Sequence, residues 1–301
     1  MSTTCQVCGK PINAANPPFC PNCGVKIFTA REKFFLDVKK SFFDAPCSLL
    51  FKSVKESIGL PPLELREHVG GDGAFTEIGY RFLHHFKTLG NLKAHETVLD
   101  VGCGSGRIAI PLTAYISRNA TYEGFDLDNR CIQWCTDNIT SRYPNFHFQH
   151  IDIFNKYYNP DGKISPDTFT FPYNSETFDF VNMTSVFTHM LPQDMDRYFA
   201  EVSRVLKKGG RCLITYYLVT PESLENIAQK KSNLNFFDCG EGYYSLVRDM
   251  PEQVIAFDER YIRKLYAKNG LSINDPIHYG SWCGREKATD FQDIVIASKQ
   301  Q

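Results

Sequence analysis

The chain has no run of 18 apolar residues, so no segment of it reads as a membrane span. It has no excess of either charge: 33 lysines and arginines face 34 aspartates and glutamates, for a formal net charge of −1 at pH 7. A protein that grips DNA or RNA through many phosphates normally shows a basic face, so nucleic acid is not the expected partner. The N-terminus lacks the basic start and apolar stretch of an export signal, and the expectation is a cytoplasmic protein. No internal repeat or low-complexity tract appears. What is present is ordinary globular chemistry. At 301 residues, 43% hydrophobic and 22% charged, the chain is long enough for one large α/β core plus an appendage.

Eleven cysteines in a chain without an export signal point to metal binding rather than disulfides. Four of them form two tight Cys-x-x-Cys-Gly turns, Cys5 with Cys8 and Cys20 with Cys23, separated by 11 residues. Two such turns can complete a tetrahedron of thiolates around one structural Zn2+. The intervening residues 10–19 are too few and too polar to form a core, so the metal must hold the fold. A redox role for either pair is the rival, but neither sits in a βαβ context. Residues 1–30 thus resemble a zinc ribbon. A site closed by four cysteines has no open coordination position for catalysis, which leaves a protein partner as its expected use.

The stretch Val98-Leu99-Asp100-Val101-Gly102-Cys103-Gly104-Ser105-Gly106-Arg107 organises the rest. An apolar run ends in glycines and a new apolar period begins at Ile108, the pattern of a buried strand, a tight turn and a helix start. A second strand-like run ends at Asp126, 20 residues after Gly106, where a carboxylate can accept hydrogen bonds from ribose hydroxyls. Dinucleotide sites read Gly-x-Gly-x-x-Gly and rest a pyrophosphate on the helix N-terminus. Here the glycines alternate, and Asp100 stands two residues before the first. A carboxylate at that place repels a pyrophosphate but suits an amine or a sulfonium.

The stretch resembles motif I of the class I S-adenosylmethionine (AdoMet)-dependent methyltransferases, and the likeness continues through residues 91–299. Asp152 falls where that family's acid meets the adenine amino group. Phe178-Asp179-Phe180-Val181 looks like its fourth strand, and the segment from Arg204 to Arg211 like its turn into strand five. The resemblance implies a doubly wound, mostly parallel, seven-stranded Rossmann-like sheet with helices on both faces. It implies AdoMet contacts from Asp100, Gly102, Gly104, Gly106, Asp126, Leu127, Asp152, Ile153 and Thr184. The expected division is a zinc ribbon over 1–30, a helical lead-in or cap over 31–90, and a methyltransferase domain over 91–301. In the lead-in, Arg66, Glu77 and Tyr80 read equally as pocket lining and as surface.

Several further elements follow from the pattern. Asp128 or Asn129 can cap a helix whose Ile132, Cys135 and Ile139 share a face. Residues 155–177 are aromatic and turn-rich without helical period, as suits a substrate wall or a structural cover at the strand ends. A helix is expected over 193–206, strand five over 212–217, and an insertion over 220–257.

Methyl transfer from a sulfonium is an in-line displacement, so alignment and exclusion of water are the main requirements. The family's Asn/Asp-Pro-Pro-Tyr/Phe turn for exocyclic base nitrogens is replaced by Asn182-Met183-Thr184-Ser185, and no cysteine lies between Cys135 and Cys212 to attack a pyrimidine ring. His189, four residues after Ser185, is the candidate general base for an alcohol. Its alternative is to tie the loop to the backbone. The reading is an AdoMet-dependent methyltransferase acting on a hydroxyl of a small molecule or glycan. Two other readings stand beside it: an RNA base methyltransferase with an N-terminal zinc site, for which Lys10 and Lys26 are few cations, and a non-catalytic AdoMet-binding adaptor.

Overall fold

The computed structural model describes residues 58–69, 75–232 and 234–300, together with the main chain of two short strands, Thr3–Thr4 and Pro11–Ile12, that pair antiparallel. The chain divides into two compact units, 1–53 and 54–301. The four cysteines of the expected zinc ribbon lie outside the described residues, and among the described residues no group of His, Cys, Asp and Glu is placed to hold a metal. Among the same residues no helix is long and apolar enough to cross a membrane.

Two helices precede the sheet, α1 (Leu63–His68) and α2 (Phe75–Thr88). The chain then alternates β1 (Val98–Val101), α3 (Ala109–Leu112), β2 (Tyr122–Asp126), α4 (Asn129–Cys135), β3 (Phe146–His150), β4 (Phe178–Met183), α5 (Pro192–Val205) and β5 (Leu206–Tyr216). After an insertion come α7 (Glu259–Lys268), β10 (Leu271–Ile273) and β11 (Asp293–Lys299). The central sheet has the order β10-β11-β5-β4-β1-β2-β3, with β11 antiparallel to its neighbours and the rest parallel. The expected seven-stranded, mostly parallel sheet is therefore present.

Strand alternation distributes side chains to two cores. Leu99, Val101, Val181, Ile214 and Val295 face Phe187, Met195, Phe199 and Val202 around α5 and α7. Val98, Phe180, Leu213, Ile294 and Ile296 face Phe86, Ile110, Leu112 and Ile139 around α2 to α4. Helices thus cover both faces, and every strand of the centre is buried. Asp128 caps α4 as expected, its carboxylate accepting from the Arg130 N–H at 2.8 Å.

One expectation needed correction. Strand five begins at Leu206 rather than Cys212, because a register shift opposite Phe178 and Phe180 absorbs the turn-forming Lys207 to Gly210. The expected insertion carries elements of its own. Its residues form β6 (Leu218–Val219), α6 (Pro221–Ala228), β7 (Phe237–Gly240), β8 (Tyr243–Ser245) and β9 (Ile255–Asp258), which make a second sheet of order β6-β9-β8-β7. A small core of Tyr217, Phe236, Ala256 and Trp282 lies beneath it. Short strands among glycines carry little period, so only the pairing partners reveal them.

Candidate active site

The chain leaves β1 and turns through Gly102 at φ +71° and Gly104 at φ +52°, where side chains are disfavoured. Space excludes them too: a Cβ on Gly102 would lie 2.7 Å from Val186 Cγ2, and one on Gly104 would strike Val69 Cγ1. Gly106 plays another part, for its Cβ would meet Ile139 and Cys135, so it permits close packing on α4. Main-chain N–H groups of Gly102 and Cys103 donate to Phe125 O at 2.9 and 3.1 Å, tying the loop to β2. Asp126 braces it from the strand end: Oδ2 accepts from Gly104 N–H at 2.8 Å and Oδ1 from Asp128 N–H at 2.9 Å. The side chain is half-buried at the end of β2.

Asp100 is buried on β1, between Tyr122 of β2 and Asn182 of β4. Its Oδ2 accepts from Tyr122 OH at 2.5 Å and its Oδ1 from Asn182 Nδ2 at 2.6 Å. Burial pushes its carboxyl up to about 6, against these two hydrogen bonds. Thr184 continues the chain by donating to Asn182 Oδ1 at 2.9 Å.

Asp100, Gly102, Gly104 and Thr184 line one cleft with Val69, Cys103, Arg107 and Ile108. Its volume of about 30 Å3 is roughly that of one water molecule. Two hydrogen bonds hold the α1 segment over the loop: Ser105 Oγ donates to Leu65 O at 3.0 Å, and Arg107 Nη1 to Val69 O at 2.5 Å. The half-buried Arg107 is pushed down to about 10 by burial and then by Arg81, and its Nε has no partner among the described residues.

Beyond β4 the backbone reverses at Ser185, φ +61°, and a short turn Phe187–His189 follows. The half-buried His189 meets Glu252 O through Nδ1 at 3.1 Å and Tyr158 OH through Nε2 at 3.4 Å. A carbonyl only accepts, so Nδ1 carries the hydrogen and Nε2 keeps its lone pair. Burial lowers the imidazole's pKa and so favours this neutral form. Tyr158 also packs edge-on against the His189 ring; burial, then the charges of Tyr157 and Asp126, push its phenol up to about 12. Asp152 sits two residues past β3, holding Asn159 Nδ2 at 3.0 Å.

The expected residues therefore divide. Asp100, Gly102, Gly104 and Thr184 share the cleft; Asp126, Leu127 and Asp152 occupy the neighbouring strand ends; Ile153 is buried in the core and Gly106 faces α4. Val69 and Arg107 were missed. A signal existed for Arg107: a cation directly after the glycine loop stands where a helix start favours an acid. None existed for Val69, whose role comes from α1 folding back.

Among relatives, phosphoethanolamine N-methyltransferase 3 of Arabidopsis thaliana is 28% identical over 76% of this chain and 43% of its own length. Sterol 24-C-methyltransferase of Schizosaccharomyces pombe is 23% identical over 58% of this chain and 42% of its own. The chain spans less than half the length of these relatives. The solved structure of protein PH0226 from Pyrococcus horikoshii superposes with a TM-score of 0.50 at 17% identity, covering 78% of this chain and 99% of that one. Residues 92–270, more than half of the chain, match the methyltransferase domain family. With its glycine loop, its buried strand-one acid and its sheet order, the chain belongs to the methyltransferase domain family.

Proposed function

We infer that the chain transfers a methyl group from AdoMet to a hydroxyl of a small molecule or glycan. The carrying observation is the cleft at the carboxyl end of β1, where the glycine cradle and the buried Asp100 meet Thr184 from the end of β4, with a neutral imidazole on the turn that follows β4. The residues fit AdoMet. Asp100 offers negative charge to its amine or sulfonium, the bare loop admits its close approach, and Asp126 sets a carboxylate at the end of β2, beside the loop, for its ribose. When bound, AdoMet supplies an electrophilic methyl on a positively charged sulfur.

This chain's residues then have two tasks. Asp100 and Asp126 hold the nucleotide's polar ends at fixed places along the strand tips. His189 Nε2, once the acceptor hydroxyl takes the place of Tyr158 OH on it, receives the acceptor's proton as its oxygen attacks, while Glu252 O keeps the tautomer that makes this possible. Relatives named phosphoethanolamine N-methyltransferases support a second reading in which the attacking atom is an amine nitrogen. In both readings the cysteine pairs would hold one structural zinc at a site for a protein partner, and the protein would work in the cytoplasm.

The test is transfer of labelled methyl to fractionated metabolites, glycans and total RNA. Label in the small-molecule or glycan pool supports the reading; label in RNA replaces it with the base methyltransferase. AdoMet binding without label in any pool replaces it with the adaptor. His189→Asn should lower turnover by about 10²–10⁴-fold with S-adenosylhomocysteine affinity unchanged. A mutant with near-normal turnover would end the base assignment.

A further inference from the structure

The short turn Pro251–Gln253, between β8 and β9, packs against the turn that carries His189, and it brings Glu252 there. Glu252 is 7% exposed. Its main-chain oxygen is used by His189, but its carboxylate Oε2 is buried and accepts no hydrogen bond from any described residue. Asp194, on the first turn of α5, also has no cation beside it among the described residues. The two carboxylates are close enough to oppose each other's charge: burial, then Asp167 and Glu252, push the Asp194 carboxyl up to about 6. The Tyr243 phenol is raised by burial, with Cys239, Glu241 and Glu252 adding to it. Tyr261 of α7, stacked on Phe257, donates to Pro192 O at 3.3 Å, two residues before Asp194.

A buried carboxylate normally has a cation, a metal or several hydrogen-bond donors as company. Among the described residues Oε2 has none of these, and a second carboxylate, Asp194, lies near enough to add to its charge, surroundings that favour a cation such as an ammonium group. Nothing in local sequence demands an acid at this point, since Glu252 precedes no helix long enough to need one.

We propose that Glu252, with Asp194, is a cation subsite that binds a protonated amine or quaternary ammonium group of the methyl acceptor, seated beside His189. The proposal rests on the functional reading above and narrows it: the acceptor is an amino alcohol or amino sugar rather than a neutral or anionic compound. The ammonium group anchors, and the proton taken by His189 comes from the attacking group. No bond to Glu252 or Asp194 forms or breaks.

The experiment uses the full-length protein saturated with S-adenosylhomocysteine, which cannot donate a methyl. Three probes of one skeleton, ethanolamine, ethylene glycol and glycolate, are titrated by calorimetry at pH 7.5. Wild type should bind ethanolamine at least about tenfold more tightly than ethylene glycol, and glycolate most weakly. Glu252→Gln should abolish the preference while S-adenosylhomocysteine affinity stays as in wild type, and Asp194→Asn should reduce it by about threefold or more. Equal binding of ethanolamine and ethylene glycol by wild type overturns the subsite and leaves Glu252 Oε2 to ordered water. So does a Glu252→Gln protein that keeps the preference. If that variant does not fold, the wild-type comparison and Asp194→Asn decide. Failure of wild type to bind S-adenosylhomocysteine overturns the functional reading itself, a result separable from a bound nucleotide with no ammonium preference.

Discussion

Two carboxylates at neighbouring strand ends do different work. Asp126 accepts from the loop amide of Gly104 and the helix-cap amide of Asp128 and is half-buried, so on the functional reading above its loss should remove a ribose acceptor and loosen the loop together. Asp126→Ala should weaken S-adenosylhomocysteine binding by ~1–3 kcal/mol, the range for charge-assisted hydrogen bonds. Calorimetry with unchanged affinity would remove Asp126 from the site. Asp100 is governed by burial, which raises its carboxyl from 3.8 to about 6. A raised acid binds its proton more tightly in the folded chain, so its contribution to stability falls as pH rises through that interval. Ligand binding should follow the opposite sign. A cation in the cleft favours the ionised form, so nucleotide affinity should strengthen about tenfold between about pH 5 and pH 7. Asp100→Asn should flatten that profile; a mutant with the wild-type slope would assign the titration to another group.

At the scale of elements, α1 and the Asp293 network decide how the site opens and how the insertion is held. The cleft of about 30 Å3 beside Val69 is far smaller than a nucleoside, so on the functional reading above the segment 63–69 is expected to shift when one enters. Amide exchange in 63–69 should change on adding S-adenosylhomocysteine while that of α5 stays constant. Identical exchange in 63–69 with and without it would show that entry occurs elsewhere. Asp293, fully buried at the start of β11, accepts from Leu218 N–H at 2.6 Å, Gly280 N–H at 2.7 Å, Trp282 Nε1 at 2.7 Å and Arg285 Nη1 at 3.3 Å. It thereby ties the first strand of the second sheet to the last strand of the first. Asp293→Ala leaves a buried guanidinium and three N–H groups short of an acceptor, and should cost about 3–5 kcal/mol in chemical denaturation. A loss below about 1 kcal/mol would mean that water replaces the carboxylate.

For the whole molecule, the division into units 1–53 and 54–301 sets what can be removed. A chain beginning at Val54 should fold and bind S-adenosylhomocysteine with unchanged affinity, because every nucleotide-facing residue named above lies in the second unit. Loss of binding on that truncation would make the first unit part of the site. The full chain should carry one zinc, and Cys20→Ser with Cys23→Ser should remove it; equal zinc by metal analysis before and after would locate the metal elsewhere.

The local features of the glycine loop and its flanking strands were legible in the sequence, since strand period, turn chemistry and caps act over a few residues. The apolar run into alternating glycines, the acid before them, the acid at the end of the next strand and the Asp128 cap could all be read locally. The seven-stranded, mostly parallel sheet followed from the resemblance and is present, whereas the strand order came from the structure. Only the tertiary structure decided what depends on distant partners. Val69 reaches Gly104 because α1 folds back, β6 pairs with β9 across an insertion that lacks period, and Glu252 meets His189 across 63 positions. These contacts depend on which faces bury together, and burial is a property of the assembled cores rather than of any short stretch.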